Sequence, residues 1–303
     1  MNRDTVRALC QLNTEFYERN AASFSQTRMA PWEGWRRCMV ACGFDDSDEA
    51  ALGQPMDAQI ADSVLDIACG NLRFEAFLAN TYPHIDWSFF AVDNCEPLVA
   101  SGQEEIAKKV HFTCEDIVNN LLDGLPAAEP ANTSAFAAAT PFDLVVSFGF
   151  LHHIPSFDLR RQFLLEALSQ VKPGGYLVVS FWQFLNDPAK RAKSEQTHAE
   201  ALAFFAGSLE PNDYFLGWKN EPDNYRYCHH FSNEEIDRII AALAPHATVV
   251  ESFSADGKPG NLNRYVVFKR KELPIDSIPV TNALSSMTDE EIRQLKVKTL
   301  SLS

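Results

Sequence analysis

The sequence predicts an α/β fold, a mostly parallel sheet covered on both faces by helices, and three observations carry that prediction. Apolar runs recur at 64–67, 89–92, 110–112, 142–146 and 176–181, alternating with segments of helical spacing, as strands buried on both faces require. Two of them lead into an acid and a tight turn, Val64-Leu65-Asp66-Ile67-Ala68-Cys69-Gly70 and Phe89-Phe90-Ala91-Val92-Asp93. Lys172-Pro173-Gly174-Gly175 then turns a helix into the fifth run.

The remaining elements follow in chain order. Residues 4–21 place Val6, Leu9, Cys10, Leu12, Phe16 and Tyr17 on one helical face, and we expect this helix to lie over a ligand mouth. Trp32, Trp35, Met39 and Val40 form a second helical face after Pro31, a residue suited to a first turn. Residues 44–61 read as an acidic loop, and the Ala- and Pro-rich stretch 126–141 as a surface insertion before the fourth strand. A helix is expected at 186–208 and an irregular aromatic segment at 213–231. Ser232 and Glu235 make a capping box for the next helix. Two closing strands, 247–253 and 261–269, supply an antiparallel edge, and a last helix is expected at 289–300. The organisation is thus a helical cap (1–60), an α/β domain (61–270) with a lid segment (186–231), and a tail (271–303).

The chain has 303 residues, 46% hydrophobic and 22% charged, which suits one large globular domain with appendages. No stretch approaches the ~20 apolar residues that cross a bilayer, and the N-terminus lacks a signal-peptide core, so we expect a cytoplasmic protein. Seven cysteines show no C-x-x-C pair, and Cys38 and Cys42 lack evident metal partners, so no metal site is expected. A net charge of −15 argues against a surface that coats nucleic acid broadly.

Carboxylates at successive strand ends point to an adenosine-containing cofactor. The glycine turn lets main chain approach a ligand closely, and Asp93 on the next strand is placed to grip a ribose diol. Asp116, after the run 110–112, stands at a third strand end within reach of an adenine amino group. Nicotinamide enzymes share this geometry, but the G-x-G-x-x-G fingerprint that receives a pyrophosphate is absent. From about residue 60 to 182 this series resembles the class I S-adenosylmethionine-dependent methyltransferases. That resemblance implies a Rossmann-like seven-stranded sheet. It also implies S-adenosylmethionine as cofactor, with Asp66, Ala68 and Gly70 in the acid-and-glycine loop, Asp93 with Asn94 at the ribose, and Asp116 with Ile117 at the adenine. The segment 147–153, from Ser147, falls on the family's active-site stretch after strand four. Ala68 and Leu72 replace two loop glycines; we expect an ordinary backbone angle at Ala68 and added bulk beside the cofactor at Leu72.

Two constellations carry candidate chemistry. His152 and His153 follow strand four at the sheet's carboxyl edge, where open α/β folds place ligands. Tyr225-Arg226-Tyr227-Cys228-His229-His230-Phe231 gathers polar groups that each need a partner if buried, and we read it as a substrate lid. This segment, with Trp218, resembles the wobble-uridine carboxymethyl tRNA methyltransferases. Tyr17, Arg28, Pro31 and Trp32, and Arg160-Arg161 after Leu151-His152-His153, support that likeness over most of residues 13–270. It implies esterification of a carboxymethyl group on a tRNA base. A carboxylate acceptor needs no strong base, and arginine can fix it by bidentate bonds, with Arg226 leading. The resemblance places Tyr17 and Arg28 at the cofactor, Arg28 serving the cofactor's carboxylate or the acceptor's, while Tyr17, Tyr227 and His229 orient neighbouring groups. Trp32 is read as packing. Because the body is acidic, a partner subunit would supply the electrostatics for tRNA. A small-molecule O- or N-methyltransferase and a non-catalytic cofactor-binding module remain the alternatives.

Overall fold

The computed structural model describes residues 1–44, 63–124 and 141–272. The helix expected at 289–300 lies outside the described residues, as do almost all of the 44–61 loop and the 126–141 insertion.

Strands β1 (Ser63–Ile67), β2 (Ser88–Asp93), β3 (Val110–Cys114), β4 (Phe142–Ser147) and β5 (Val171–Trp182) are followed by β6 (Asp213–Gly217), β7 (Tyr225–His229), β8 (Ala247–Ala255) and β9 (Asn263–Arg270). Seven of them form one sheet in the order β3-β2-β1-β4-β5-β9-β8. The first five pair in parallel, whereas β9 runs antiparallel to both β5 and β8 at the closing edge. Alternation decides where each side chain goes. Leu65, Ile67, Val145 and Leu177 enter one core with Phe163 and Val266, while Val64, Leu144, Val146 and Val178 enter another with Phe74 and Tyr265. Both faces are therefore covered, which is why the strands read as continuous apolar runs.

Helices α1 (Arg3–Gln26), α2 (Glu33–Ala41), α3 (Arg73–Thr81), α4 (Glu96–Ala100), α5 (Glu104–Ala107), α6 (Ile117–Leu122), α7 (Phe157–Ser169), α8 (Pro188–Leu202) and α9 (Asn233–Leu243) complete the described chain. Side chains start several of them by taking otherwise orphaned amides. Asn2 accepts from the Thr5 amide at 2.8 Å, and Asp187 from Ala189 and Lys190 at 2.9 and 3.2 Å. Ser232 caps α9, but Glu235 turns toward His229 and Arg160 instead of back to the cap, so half of the expected capping box forms.

Two sequence expectations change. The segment 213–231 is not irregular: β6 and β7 pair residue for residue as an antiparallel hairpin, from Asp213 with His229 to Gly217 with Tyr225. Strand five begins at Val171, so the Lys172-Pro173-Gly174-Gly175 turn lies inside it as a bulge against β4. A Cβ at Gly175 would stand 2.6 Å from the Asp143 carbonyl oxygen, and glycine is required there.

Candidate active site

A cavity of about 780 Å³ opens at the carboxyl ends of β1, β2 and β4. The strand order turns back between β1 and β4, the place where open α/β sheets leave a crevice. Helix α1 covers it, contributing Asn13, Thr14, Tyr17 and Phe24 to the lining.

The loop after β1 is shaped by left-handed backbone at alternate residues, Ala68, Gly70 and Leu72, with φ of 65°, 58° and 56°. The ordinary angle expected at Ala68 is thus corrected. So is the bulk expected of Leu72: its side chain turns away from the cavity into a core with Cys69, Ala76, Ala91 and Val99. The amides of Ala68 and Cys69 donate to the Val92 carbonyl, and that of Gly70 donates to Asp93 Oδ2 at 2.9 Å. These three amides brace the loop on β2.

Asp66, Asp93 and Asp116 all line the cavity. Asp93 accepts main-chain bonds from Gly70 and Cys95, both at 2.9 Å, and from Asn94, and its two oxygens together have capacity for a further donor. Burial nevertheless holds its pKa above the usual carboxylate value. Asp66 is buried with Oδ1 unpartnered; burial first, then nearby Glu75 and Asp93, push its carboxyl well above the ordinary value. Asp116 caps α6, accepting from the Asn119 amide and side chain at 3.0 and 2.8 Å. Asn94 and Ile117 also reach the cavity, Asn94 through a 3.0 Å bond to Thr14. Ser147 does not. Its hydroxyl donates to the Ile67 carbonyl at 3.0 Å and ties β4 to β1, so its expected place beside the cofactor is corrected.

The two histidine rings lie against each other at a tilt of 50°, their centroids 4.0 Å apart. His152 lines the cavity with Nδ1 unpartnered. His153 is fully engaged, Nε2 meeting the Tyr17 hydroxyl at 2.8 Å and Nδ1 the Tyr227 carbonyl at 2.9 Å. Burial drives both below the ordinary imidazole value, His153 to about 3, and nearby Arg226 adds to this. Both are neutral at pH 7. Their nitrogens and the Cys228 thiol lie within 4.8 Å of one another, a soft donor set, but His153 has no lone pair left for a metal.

Arg226 and Arg28 share one aromatic wall. The Arg28 guanidinium lies 3.4 Å above the Phe24 ring and 5.6 Å from Trp218, and that of Arg226 lies 5.7 Å from each. Phe16 and Trp182 stand 4.9 and 6.0 Å from Arg226. Neither arginine has a carboxylate partner among the described residues, and Nε and Nη1 of Arg226 are buried without any bond. Burial lowers Arg28 to about 10, still charged at neutral pH.

Tyr227 and His229 point the other way, correcting their expected role beside the acceptor. Tyr227 donates to Asp213 Oδ1 at 2.7 Å, and His229 bridges Asp213 and Glu235, both at 2.7 Å. Arg160 reaches the same Glu235 at 3.0 Å. This is a buried clamp behind the hairpin. The sequence reading passed over Asn13 and Asn20, polar breaks in the apolar stripe of α1, which bind the Tyr227 amide at 2.8 Å and Asn224 at 2.9 Å. It also passed over Arg73, which stands 5.1 Å from both Trp32 and Trp35 at the cavity. Trp32 covers Gly149, whose missing Cβ would sit 3.0 Å from the indole.

Residues 65–177 match the family model described as a methyltransferase domain. A protein of Encephalitozoon cuniculi (strain GB-M1) assigned as a candidate methyltransferase is 25% identical over 244 residues, 79% of this chain and 91% of that one. Among solved structures, an S-adenosylmethionine-dependent methyltransferase of Methanosarcina mazei covers 72% of this chain and 95% of its own, at 18% identity and a TM-score of 0.51. DhpI, solved with SAM and HEP, covers 89% and 100% at 16% identity and a TM-score of 0.53. The 1,6-didemethyltoxoflavin-N1-methyltransferase of Burkholderia thailandensis covers 88% and 90% at 16% identity and a TM-score of 0.50. These likenesses establish the fold, as expected from the sequence.

Proposed function

We infer that this S-adenosylmethionine-dependent methyltransferase esterifies a carboxylate, with a carboxymethyl-modified tRNA wobble uridine as the acceptor that fits its residues best. One observation carries the reading: the buried Arg226 and the half-buried Arg28 face one aromatic-walled compartment, with no carboxylate among the described residues to neutralise them.

The unpaired atoms suit the cofactor. Asp66 Oδ1 offers an acceptor for an ammonium, Asp93 has capacity for a donor from a ribose diol, and Asp116 and Ile117 border an adenine pocket. When bound, S-adenosylmethionine supplies a methyl group on a sulfonium, which an oxygen displaces in line. Alignment is then the protein's main task. Arg226, on the rigid hairpin, grips the acceptor carboxylate, and Arg28 grips that carboxylate or the cofactor's own. The carboxylate is already ionised at neutral pH, so no side chain must remove a proton. Phe16, Phe24, Trp182 and Trp218 exclude water and strengthen each charge interaction inside. His152, neutral and with Nδ1 unpartnered, lines the same cavity and can bond the substrate as donor or acceptor according to its tautomer.

Net charge favours a second reading. At −15, the chain has little to hold an extended polyanion without a partner subunit, whereas a small carboxylate or hydroxyl acceptor needs none. Methyl-labelled cofactor offered to an anticodon stem-loop bearing carboxymethyluridine, and in parallel to a panel of small carboxylates, separates the two. The tRNA reading expects alkali-labile label in the RNA. Label confined to small molecules overturns it.

A further inference from the structure

We propose that Tyr17 meets the cofactor as a hydrogen-bond acceptor for its cationic end, because His153 holds the phenolic proton, and that His153 is a positioning residue. The inference rests on the cofactor reading given above.

Two main contacts meet His153 Nδ1, the Tyr227 carbonyl oxygen at 2.9 Å and the Asn13 amide nitrogen at 3.2 Å, and one neutral nitrogen can serve only one of them. The shorter contact is to the carbonyl, which has only lone pairs to offer, and this places the hydrogen on Nδ1. Burial keeps the imidazole neutral, with a single N–H. Nε2 is therefore bare, and the Tyr17 hydroxyl, 2.8 Å away, donates to it. A phenol has one proton. Toward the cavity, Tyr17 has lone pairs alone, and since burial raises its pKa to about 12 it stays uncharged there.

Asn13 holds the Tyr227 main chain in place beside His153. Asn13 Oδ1 accepts from the Tyr227 amide at 2.8 Å, and its Nδ2 lies 3.2 Å from His153 Nδ1. Asn13 and His153 thus read both main-chain groups of Tyr227, one residue from Arg226. This end of the cavity holds two guanidiniums, and Tyr17 sets an acceptor among these donors. A carboxylate already has Arg28 and Arg226 to meet it; what lacks a partner is a group with polarised hydrogens. The methyl of a sulfonium is such a group, and S-adenosylhomocysteine lacks it. Tyr17 thereby helps the site prefer fresh cofactor over spent.

Calorimetric titration of the full chain with S-adenosylmethionine and S-adenosylhomocysteine tests this. Tyr17→Phe and His153→Leu should each weaken S-adenosylmethionine about tenfold, one charge-assisted bond, while S-adenosylhomocysteine stays within about twofold. His153→Gln, whose amide oxygen can take the proton in place of Nε2, should restore most of the preference, and the double variant should be no worse than Tyr17→Phe. Melting curves identify any variant that fails to fold, and Tyr17→Phe, which removes one oxygen, keeps the test decisive. Equal weakening of both molecules, or additive losses in the double variant, overturns the inference and leaves the cofactor reading standing. Wild-type chain that binds neither molecule overturns both.

Discussion

Left-handed backbone at Ala68 and Leu72 shows how two replaced glycines can have opposite consequences. Such angles cost a non-glycine residue roughly 1–2 kcal/mol. Ala68 gains nothing in return, so Ala68→Gly should stabilise the chain by about 0.5–1 kcal/mol after the freer unfolded chain is counted. Leu72 is 1% exposed within a core, and Leu72→Gly should destabilise by roughly 2 kcal/mol or more. Urea unfolding midpoints that moved in one direction for both would refute this account of the loop. Arg226 poses the same question for charge. Burial lowers its pKa while Tyr17 and Cys228 raise it, the net direction being upward, but burial lifts those two groups to about 12 and about 11, so at neutral pH only the faces of Phe16, Phe24, Trp182 and Trp218 offset part of its burial. Arg226→Met should therefore raise the stability of the free protein by roughly 1–4 kcal/mol while turnover collapses. A variant both less stable and fully active would remove Arg226 from the acceptor site.

At the scale of elements, β7 explains what the sequence could and could not disclose. The run from Tyr225 to His230 announces buried polar groups, since a strand that hides arginine, tyrosine and histidine must pair them. It does not announce which alternate set faces the ligand, because that register is set by long-range pairing with β6 and by Asn13 of α1. Arg226 faces the cavity, whereas Tyr227 and His229 face Asp213 and Glu235. The acids Asp66, Asp93 and Asp116 were legible because each lies at or within two residues of a strand's carboxyl end, and strand ends show in the apolar runs. Ser147 looked equivalent, yet its hydroxyl closes on Ile67 within the sheet. If His229 is a clamp, His229→Ala removes one partner from each of two buried carboxylates, leaving Asp213 to Tyr227 and Glu235 to Arg160, and should cost about 1–3 kcal/mol, read as a lower denaturant midpoint. Folded variant should keep turnover within a few-fold; a loss of several orders of magnitude at unchanged stability would return His229 to catalysis.

Buried titratable groups of opposite kinds set how the whole molecule responds to pH. Burial raises the Glu75 carboxyl from 4.5 to about 8 and that of Asp66 well above 3.8, and it lowers His153 from 6.5 to about 3 and His152 well below 6.5. A carboxyl held neutral in the fold loses stability as pH rises past its unfolded value, because the unfolded chain then binds fewer protons than the native one. A histidine held neutral loses stability as pH falls below its unfolded value, for the converse reason. Between pH 4.5 and 6.5 the two pairs oppose each other. Above 6.5 the histidines are neutral in both states, so the carboxyls act alone until pH passes about 8, where Glu75 ionises in the fold as well. Stability should therefore decline from pH 6.5 to 8, by up to about 1.4 kcal/mol per pH unit for each carboxyl. Glu75 is fully buried with neither oxygen bonded, so Glu75→Gln should raise the melting temperature at pH 8 and flatten the decline by one proton's worth. Melting curves of the two proteins that run parallel across this range would show that Glu75 does not hold its proton in the fold. S-adenosylmethionine bound beside Asp66 should shrink the decline further, since an ammonium there lets that carboxyl ionise in the native state.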